Sequence, residues 1–434
     1  MNVFKRKLAI ELAKRLAESP NRIQIVGGPR QTGKTTLVRQ ACEDVYNSSG
    51  KVSLYRAVDN PVNTNELQTQ GINNTVQTAV PNKPDIEWLV RQWEEARAVT
   101  RKEHAKAAQD GRKDTGYVLV LDEIQKIPNW SEAVKGLWDE DHVEKLNLHI
   151  VLLGSSPLLL QQGLSESLLG RYEKLESRHW SYVEMAEAFG FNYEEYIYFG
   201  GYPGAASFIR DELRWKDYLQ NSLIDPYLIK DIMVMARIDK PVLLKNAFEL
   251  SCEYSGQIFA YNKMLGQLTD AGNVTTLAHY ISLLTDAGLV AGLQAYSGTK
   301  LRKRASKPKL NVMNTALMSC YSGYTFSQAK ADRTYWGRVV ESTVGAHLFN
   351  TASTNTKVYY WRDRGSEVDF VVKKNKQLLA IEVKSGNKRK PGNLNGLNKF
   401  SANYSKAKTL LIGADGLSIQ EFLSYPIDYW LDDV

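Results

Sequence analysis

A β-strand that runs into a glycine-rich turn and then a helix limits this chain's possible folds more than any composition does. Residues 22–41 read RIQIVGGPRQTGKTTLVRQA. Ile23–Val26 is a short, β-branched strand-like run. Gly28, Gly33, Lys34 and Thr35 fit the spacing G-x-x-x-x-G-K-[ST]. Glycines let successive backbone N–H groups curl around phosphate, and the following helix adds the positive end of its dipole. The loop Gly28, Pro29, Arg30, Gln31, Thr32, Gly33, Lys34, Thr35 and Thr36 is therefore the candidate ATP site. Lys34 can reach the β- and γ-phosphates, and the Thr35 hydroxyl can ligate Mg²⁺. A parallel α/β sheet is the expected setting.

A second segment, YVLVLDEIQKIPNW, supports the first. Tyr117–Leu121 is a continuous apolar run, as a strand buried on both faces should be. It ends in Asp122 and Glu123. Beside a P-loop, Asp122 can hold Mg²⁺ through water and Glu123 can polarise an attacking water. The two acids can otherwise simply cap the next segment. A further strand, LHIVLLGSSP, ends in Ser155 and Ser156, which suit either a phosphate sensor or a turn. Downstream, Arg171 is a candidate for stabilising charge at a neighbouring subunit's phosphate, with Arg178 as the alternative.

Charge is unevenly placed. The net charge is +7, but from Lys300 onward Lys and Arg exceed Asp and Glu by 11, leaving the preceding residues at −4. A basic final third on an acidic remainder points to a polyanion partner for that third. No apolar run approaches the ~20 residues a membrane span needs, and no apolar leader is evident, so a cytoplasmic location is expected. Cys42, Cys252 and Cys320 have no metal-type spacing.

The middle of the chain has helices broken by Gly and Pro, which read as a lid over the nucleotide. Leu277, Tyr280, Ile281 and Leu284 then mark a helix with one buried face, with Asn273 as its N-cap and Gly288 after its end. Two short strands follow, separated by Lys300, Arg302, Lys303, Arg304, Lys307 and Lys309. A helix followed by a hairpin with a basic tip reads as a winged helix whose wing grips DNA phosphates. A packing module with a solvated loop is the competing reading.

The stretch SEVDFVVKKNKQLLAIEVKSG, Ser366 to Gly386, has two strand-like runs around a Lys-rich turn. Asp369 lies on the first run. Glu382 and Lys384 lie on the second and share one face. Asp369, Glu382 and Glu341 can supply carboxylates to Mg²⁺, and Lys384 can orient a water. Such a site either cuts nucleic acid or only holds it.

Taken together, GGPRQTGKTTL, VLVLDEIQKIPNW, VLLGSSP, SLLGRYEKLE, YIYFGGYPG, ASKPK, Glu341 and the Ser366–Gly386 stretch resemble the extended AAA ATPases. These are AAA-type ATPases with a C-terminal nuclease-like (DUF4143) part. The resemblance spans nearly the whole chain. It implies a multidomain α/β fold: a P-loop ATPase core over 1–180, a helical lid over 181–240, a winged helix over 241–325 and a restriction-endonuclease-like domain over 326–434. It also implies ATP and Mg²⁺ as ligands, assembly as a homo-oligomer such as a hexameric ring, and a link to DNA, including Holliday junctions. The stretch from about 60 to 116 departs from the pattern and reads as an expanded insertion. Two other functions compete with a DNA motor: a nucleotide-dependent switch acting through protein partners, and an ATP-regulated nuclease.

Overall fold

The computed structural model describes residues 4–58, 84–154, 167–233, 238–268, 273–297, 307–386 and 394–433. Ser155, Ser156, Lys300, Arg302, Lys303 and Arg304 lie outside the described residues. The chain forms two compact units, Met1–Ser177 and Arg178–Val434.

The first unit is built on five parallel strands: β1 (Ile23–Gly27), β2 (Val52–Ala57), β3 (Tyr117–Asp122), β4 (Leu148–Gly154) and β5 (Tyr172–Glu176). Their order is β2-β3-β4-β1-β5. Side chains alternate between faces, so each apolar strand feeds two cores. Val118 and Val120 join Val26, Val151 and Leu153 beneath the helices α1 (Lys7–Ala17) and α2 (Lys34–Ser49). Leu119 and Leu121 point the other way and join Ile23, Ile25, Ile150 and Leu152 beneath α3 (Ile86–Gln109) and α4 (Trp130–Val143).

Helix α3 lies within the stretch that reads as an expanded insertion. Residues 59–83 of that stretch are not among those described, but α3 is part of the core. Trp88, Leu89, Trp93 and Ala96 are buried in the sheet's second core. Asp85 caps the helix by accepting from the Trp88 N–H. The buried Arg97 bonds the equally buried Asp141 of α4 at 2.6 Å, and Trp93 donates its indole N–H to the same carboxylate at 2.7 Å. Burying a large ring such as Trp93 contributes roughly 3–5 kcal/mol relative to alanine, enough to make α3 integral.

The second unit begins with α5 (Tyr182–Phe189) and α6 (Tyr193–Phe199), each started by a capping box, Ser181 with Glu184 and Asn192 with Glu195. After a run of short helical segments between Pro203 and Met233 come helices α7 (Pro241–Glu253), α8 (Tyr261–Leu265) and α9 (Val274–Asp286). Leu277, Tyr280, Ile281 and Leu284 are buried along α9, and Asn273 caps it through the Thr276 N–H, as their spacing predicts. An antiparallel ribbon of β6 (Val290–Leu293) and β7 (Lys309–Val312) follows. Ile258 adds an isolated antiparallel bridge to Lys309.

Next come the long helix α10 (Arg333–Thr351) and a four-stranded sheet of β8 (Thr356–Asp363), β9 (Ser366–Lys374), β10 (Gln377–Lys384) and β11 (Lys408–Gly413). The sheet order is β11-β10-β9-β8. Strands β8, β9 and β10 are antiparallel, and β11 joins β10 in parallel. Gln377 pairs with Lys374, so Asn375 and Lys376 make a two-residue turn, with Asn375 at a φ of 54°. Such turns need left-handed backbone, and asparagine tolerates it well. Helix α11 (Asn395–Asn403) packs Leu397 and Phe400 on Trp361 and Val371.

Candidate functional sites

The first site forms where β1 ends. Gly28 has a φ of 155°, and a Cβ there would lie 2.1 Å from the Ser177 carbonyl oxygen. Only glycine lets the loop leave the sheet this closely. Gln31 and Gly33 also have positive φ, 60° and 78°, and Gly33 opens α2. The loop thus turns its backbone toward the N-terminus of a 16-residue helix, the arrangement that receives phosphate.

Two sets of contacts hold the loop. Lys34 Nζ donates to the carbonyls of Gly28 at 2.9 Å and Pro29 at 2.7 Å. The buried Arg6 guanidinium donates to the Thr32 carbonyl at 3.1 Å and the Ser177 hydroxyl at 3.0 Å. Ser177 in turn donates to Thr32 Oγ1 at 3.1 Å, which donates to the Pro29 carbonyl at 3.1 Å. Arg6 and Ser177 carry no motif signal; only the fold brings them to the loop.

At the end of β3, Asp122 Oδ2 accepts from the Thr35 hydroxyl at 3.2 Å and from the Tyr55 phenol of β2. Burial, and then the Asp122 charge, push the Tyr55 phenol well above its ordinary range. Tyr55 is a site residue that sequence reasoning missed, because a tyrosine in a strand has no distinctive spacing. Glu123 sits at a φ of 57° and accepts from Gln125 Nε2 at 2.6 Å. The loop backbone, Lys34, Thr35 and Asp122 converge, and their donor set fits a nucleotide triphosphate with Mg²⁺.

The two candidate arginines are both engaged within the chain. Arg171 binds both Asp139 oxygens, at 2.7 and 3.0 Å, in a half-buried pair. Arg178 donates to the Phe349 and Ala352 carbonyls at the C-terminal end of α10, at 2.7 and 2.6 Å. That is a helix-capping role.

The second site lies in the other unit. Asp369 on β9 and Glu382 and Lys384 on β10 do meet, and Glu341 of α10 joins them. Lys384 Nζ bonds Glu382 Oε1 at 2.6 Å, confirming their common face. Asp369 Oδ2 accepts from the Val383 N–H at 2.8 Å.

Lys309, expected on a DNA-binding wing, is instead wholly buried here. Its ammonium lies 2.6 Å from Glu341 Oε1 and 3.4 Å from Asp369 Oδ1. The correction has a simple cause. Lys309 begins strand β7, all four residues of which are buried, and its side chain reaches inward to carboxylates. Lys307 alone of the six basic candidates is both described and exposed.

Burial, then the Asp369 charge, raise the Glu341 and Glu382 carboxyls to about 7. Among the described residues no three His, Cys, Asp or Glu side chains are grouped as a metal would need. The Lys309 ammonium sits beside Glu341 and Asp369, two of the three acids expected to hold Mg²⁺.

Comparison with known proteins finds three matched regions. Residues 20–186 match the AAA domain family. Residues 190–328 match a domain of unknown function, DUF8612, and residues 336–428 match another, DUF4143. The chain thus carries a region of the AAA domain family and a C-terminal DUF4143 region. An uncharacterized protein of Mycobacterium tuberculosis is 24% identical to this chain over 391 residues, 88% of this chain and 74% of the relative. One of Methanocaldococcus jannaschii is 26% identical over 296 residues, 63% of each chain. Among solved structures, a Walker-type ATPase of Pyrococcus abyssi aligns with 74% of this AAA-type chain and 96% of its own, at 15% identity and a TM-score of 0.48. Among the described residues, no helix is long and apolar enough to cross a membrane.

Proposed function

We propose that this chain binds and hydrolyses ATP with Mg²⁺ and couples the resulting motion to DNA, branched DNA in particular. The observation that carries the ATP half is the 3.2 Å contact of Thr35 with Asp122, beside Lys34 and the α2 N-terminus. Lys34 would leave the Gly28 and Pro29 carbonyls to bind the β- and γ-phosphate oxygens. Thr35 and Asp122 would hold Mg²⁺, directly and through water. Mg²⁺ supplies charge neutralisation to the phosphate oxygens when bound. Glu123 would orient the attacking water once nucleotide draws it from Gln125. Catalysis of this kind is positioning and electrostatics, with little covalent work for the protein.

The DNA half rests on the basic excess after residue 300 and on the order of α7, α8, α9, β6 and β7, which we read as a winged helix. Exposed Lys307 leads out of that ribbon. The lid, the restriction-endonuclease-like assignment of the C-terminal sheet, the ring and the Arg171 contribution to a neighbour belong to the same reading. Arg171 would have to leave Asp139 to reach another subunit.

The test is the ATPase rate with a four-way junction, with duplex and with no DNA, at stated salt because phosphate contacts make affinity salt-dependent. Junction-stimulated turnover, abolished in Lys34→Ala, is expected. Turnover that no DNA alters, together with absent DNA binding at moderate salt, would sink the DNA half.

A further inference from the structure

Lys309 does more than miss the wing. It belongs to the β6–β7 ribbon, yet its side chain ends inside the carboxylate cluster of the four-stranded sheet. Its ammonium lies 2.6 Å from Glu341 Oε1, 3.2 Å from the Asp369 carbonyl, 3.4 Å from Asp369 Oδ1 and 3.9 Å from Glu367 Oε1. It also lies 5.0 Å from the centre of the Phe370 ring, a cation–π distance.

These contacts differ from those of a divalent ion. Mg²⁺ wants oxygen at roughly 2.0–2.1 Å in octahedral array and keeps several waters. Here one Asp369 oxygen is already committed to the Val383 N–H, and Glu382 Oε1, though not its buried Oε2, is paired with Lys384. A buried lone ammonium is costly, and so are buried lone carboxylates; set together, each offsets part of the other's penalty. A second cation placed among the same oxygens would meet Lys309 across a few ångströms of poorly polarisable interior.

We propose that the Lys309 ammonium occupies the place a divalent cation would take, so that Glu341 and Asp369 are partners of an internal cation and not metal ligands. The acids then bind the ribbon to the sheet, and metal-activated cleavage of a phosphodiester is not an activity of this site. The inference stands whether or not DNA stimulates ATP turnover.

The experiment is Mn²⁺ binding to the nucleotide-free full chain, followed by electron paramagnetic resonance of the free ion. Wild type and Asp369→Asn are expected to bind Mn²⁺ alike, since Asp369 contributes no ion site. Lys309→Met, which vacates the ammonium and leaves the acids, is expected to gain one bound Mn²⁺ per chain. That gain should vanish in Lys309→Met combined with Asp369→Asn. A wild-type equivalent of Mn²⁺ lost in Asp369→Asn overturns the proposal. So does a folded Lys309→Met with no added Mn²⁺, because the acids would then not be placed around a cation. Should Lys309→Met fail to fold, the comparison of wild type with Asp369→Asn still decides.

Discussion

Replacing Arg6 by methionine should loosen the nucleotide loop from behind. Arg6 precedes α1, far in sequence from everything it holds. Arg6 is 8% exposed, and its guanidinium donates to the Thr32 carbonyl and the Ser177 hydroxyl. Methionine fills much of the same volume and donates nothing. A hydrogen bond from a charged donor contributes about 1.5–3 kcal/mol net, and stranding a buried acceptor costs about 1–3 kcal/mol. Ser177 keeps its bond to Thr32 Oγ1, so part of the network survives. The loss of unfolding free energy should therefore be about 3 kcal/mol. If the loop must then order on binding, a residue's worth of backbone entropy, roughly 1–2 kcal/mol, falls on the ligand. That weakens nucleotide binding by roughly tenfold. Urea melts and titration with a fluorescent ATP analogue measure the two effects. Arg15→Met is the control, since its pair with Glu11 is at the surface and is expected to cost under about 1 kcal/mol. If Arg6→Met changes stability by no more than the control and leaves affinity intact, the reasoning that Arg6 braces the loop is wrong.

Gly28→Ala should cost more than Gly50→Ala, although both glycines have positive φ. The added methyl at Gly28 collides with the Ser177 carbonyl, while Gly50 has open space around it. Overpacking of about 1–3 kcal/mol separates the two in thermal melts, and equal losses would contradict the close approach. Asp141→Ala should destabilise the first unit by roughly 3 kcal/mol, because it strands the buried Arg97 guanidinium and the Trp93 N–H. A loss below about 1 kcal/mol in urea melts would show that Glu94 and Glu140 suffice for Arg97. Burial, with the Lys51 ammonium beside it, lowers His149 to about 3. The unfolded chain then binds the extra proton first, so stability falls as pH drops through about 6.5. Between pH 7 and 5.5 the histidine's contribution should shrink by about 1.3 kcal/mol, read as a narrowing gap between wild type and His149→Gln. A gap independent of pH would refute it.

Local spacing was enough to place the P-loop, the β3 acids, the capped helix α9 and the Asp369–Lys384 hairpin. Each of these rests on interactions within a few residues: a turn that needs glycine, a helix period, an alternating strand. Neighbouring residues dictate such features wherever the chain goes next. Arg6 on Thr32, Tyr55 on Asp122, Arg97 on Asp141 and Lys309 on Glu341 were decided by the tertiary fold alone. Lys309 is the clearest instance. In sequence it closes a basic run and looks solvated, but β7 carries it into the interior, where only carboxylates make an ammonium tolerable. Long-range pairing of buried charges leaves no period to read. It depends on which distant strand the fold lays alongside, and that choice is made by the packing of the whole unit.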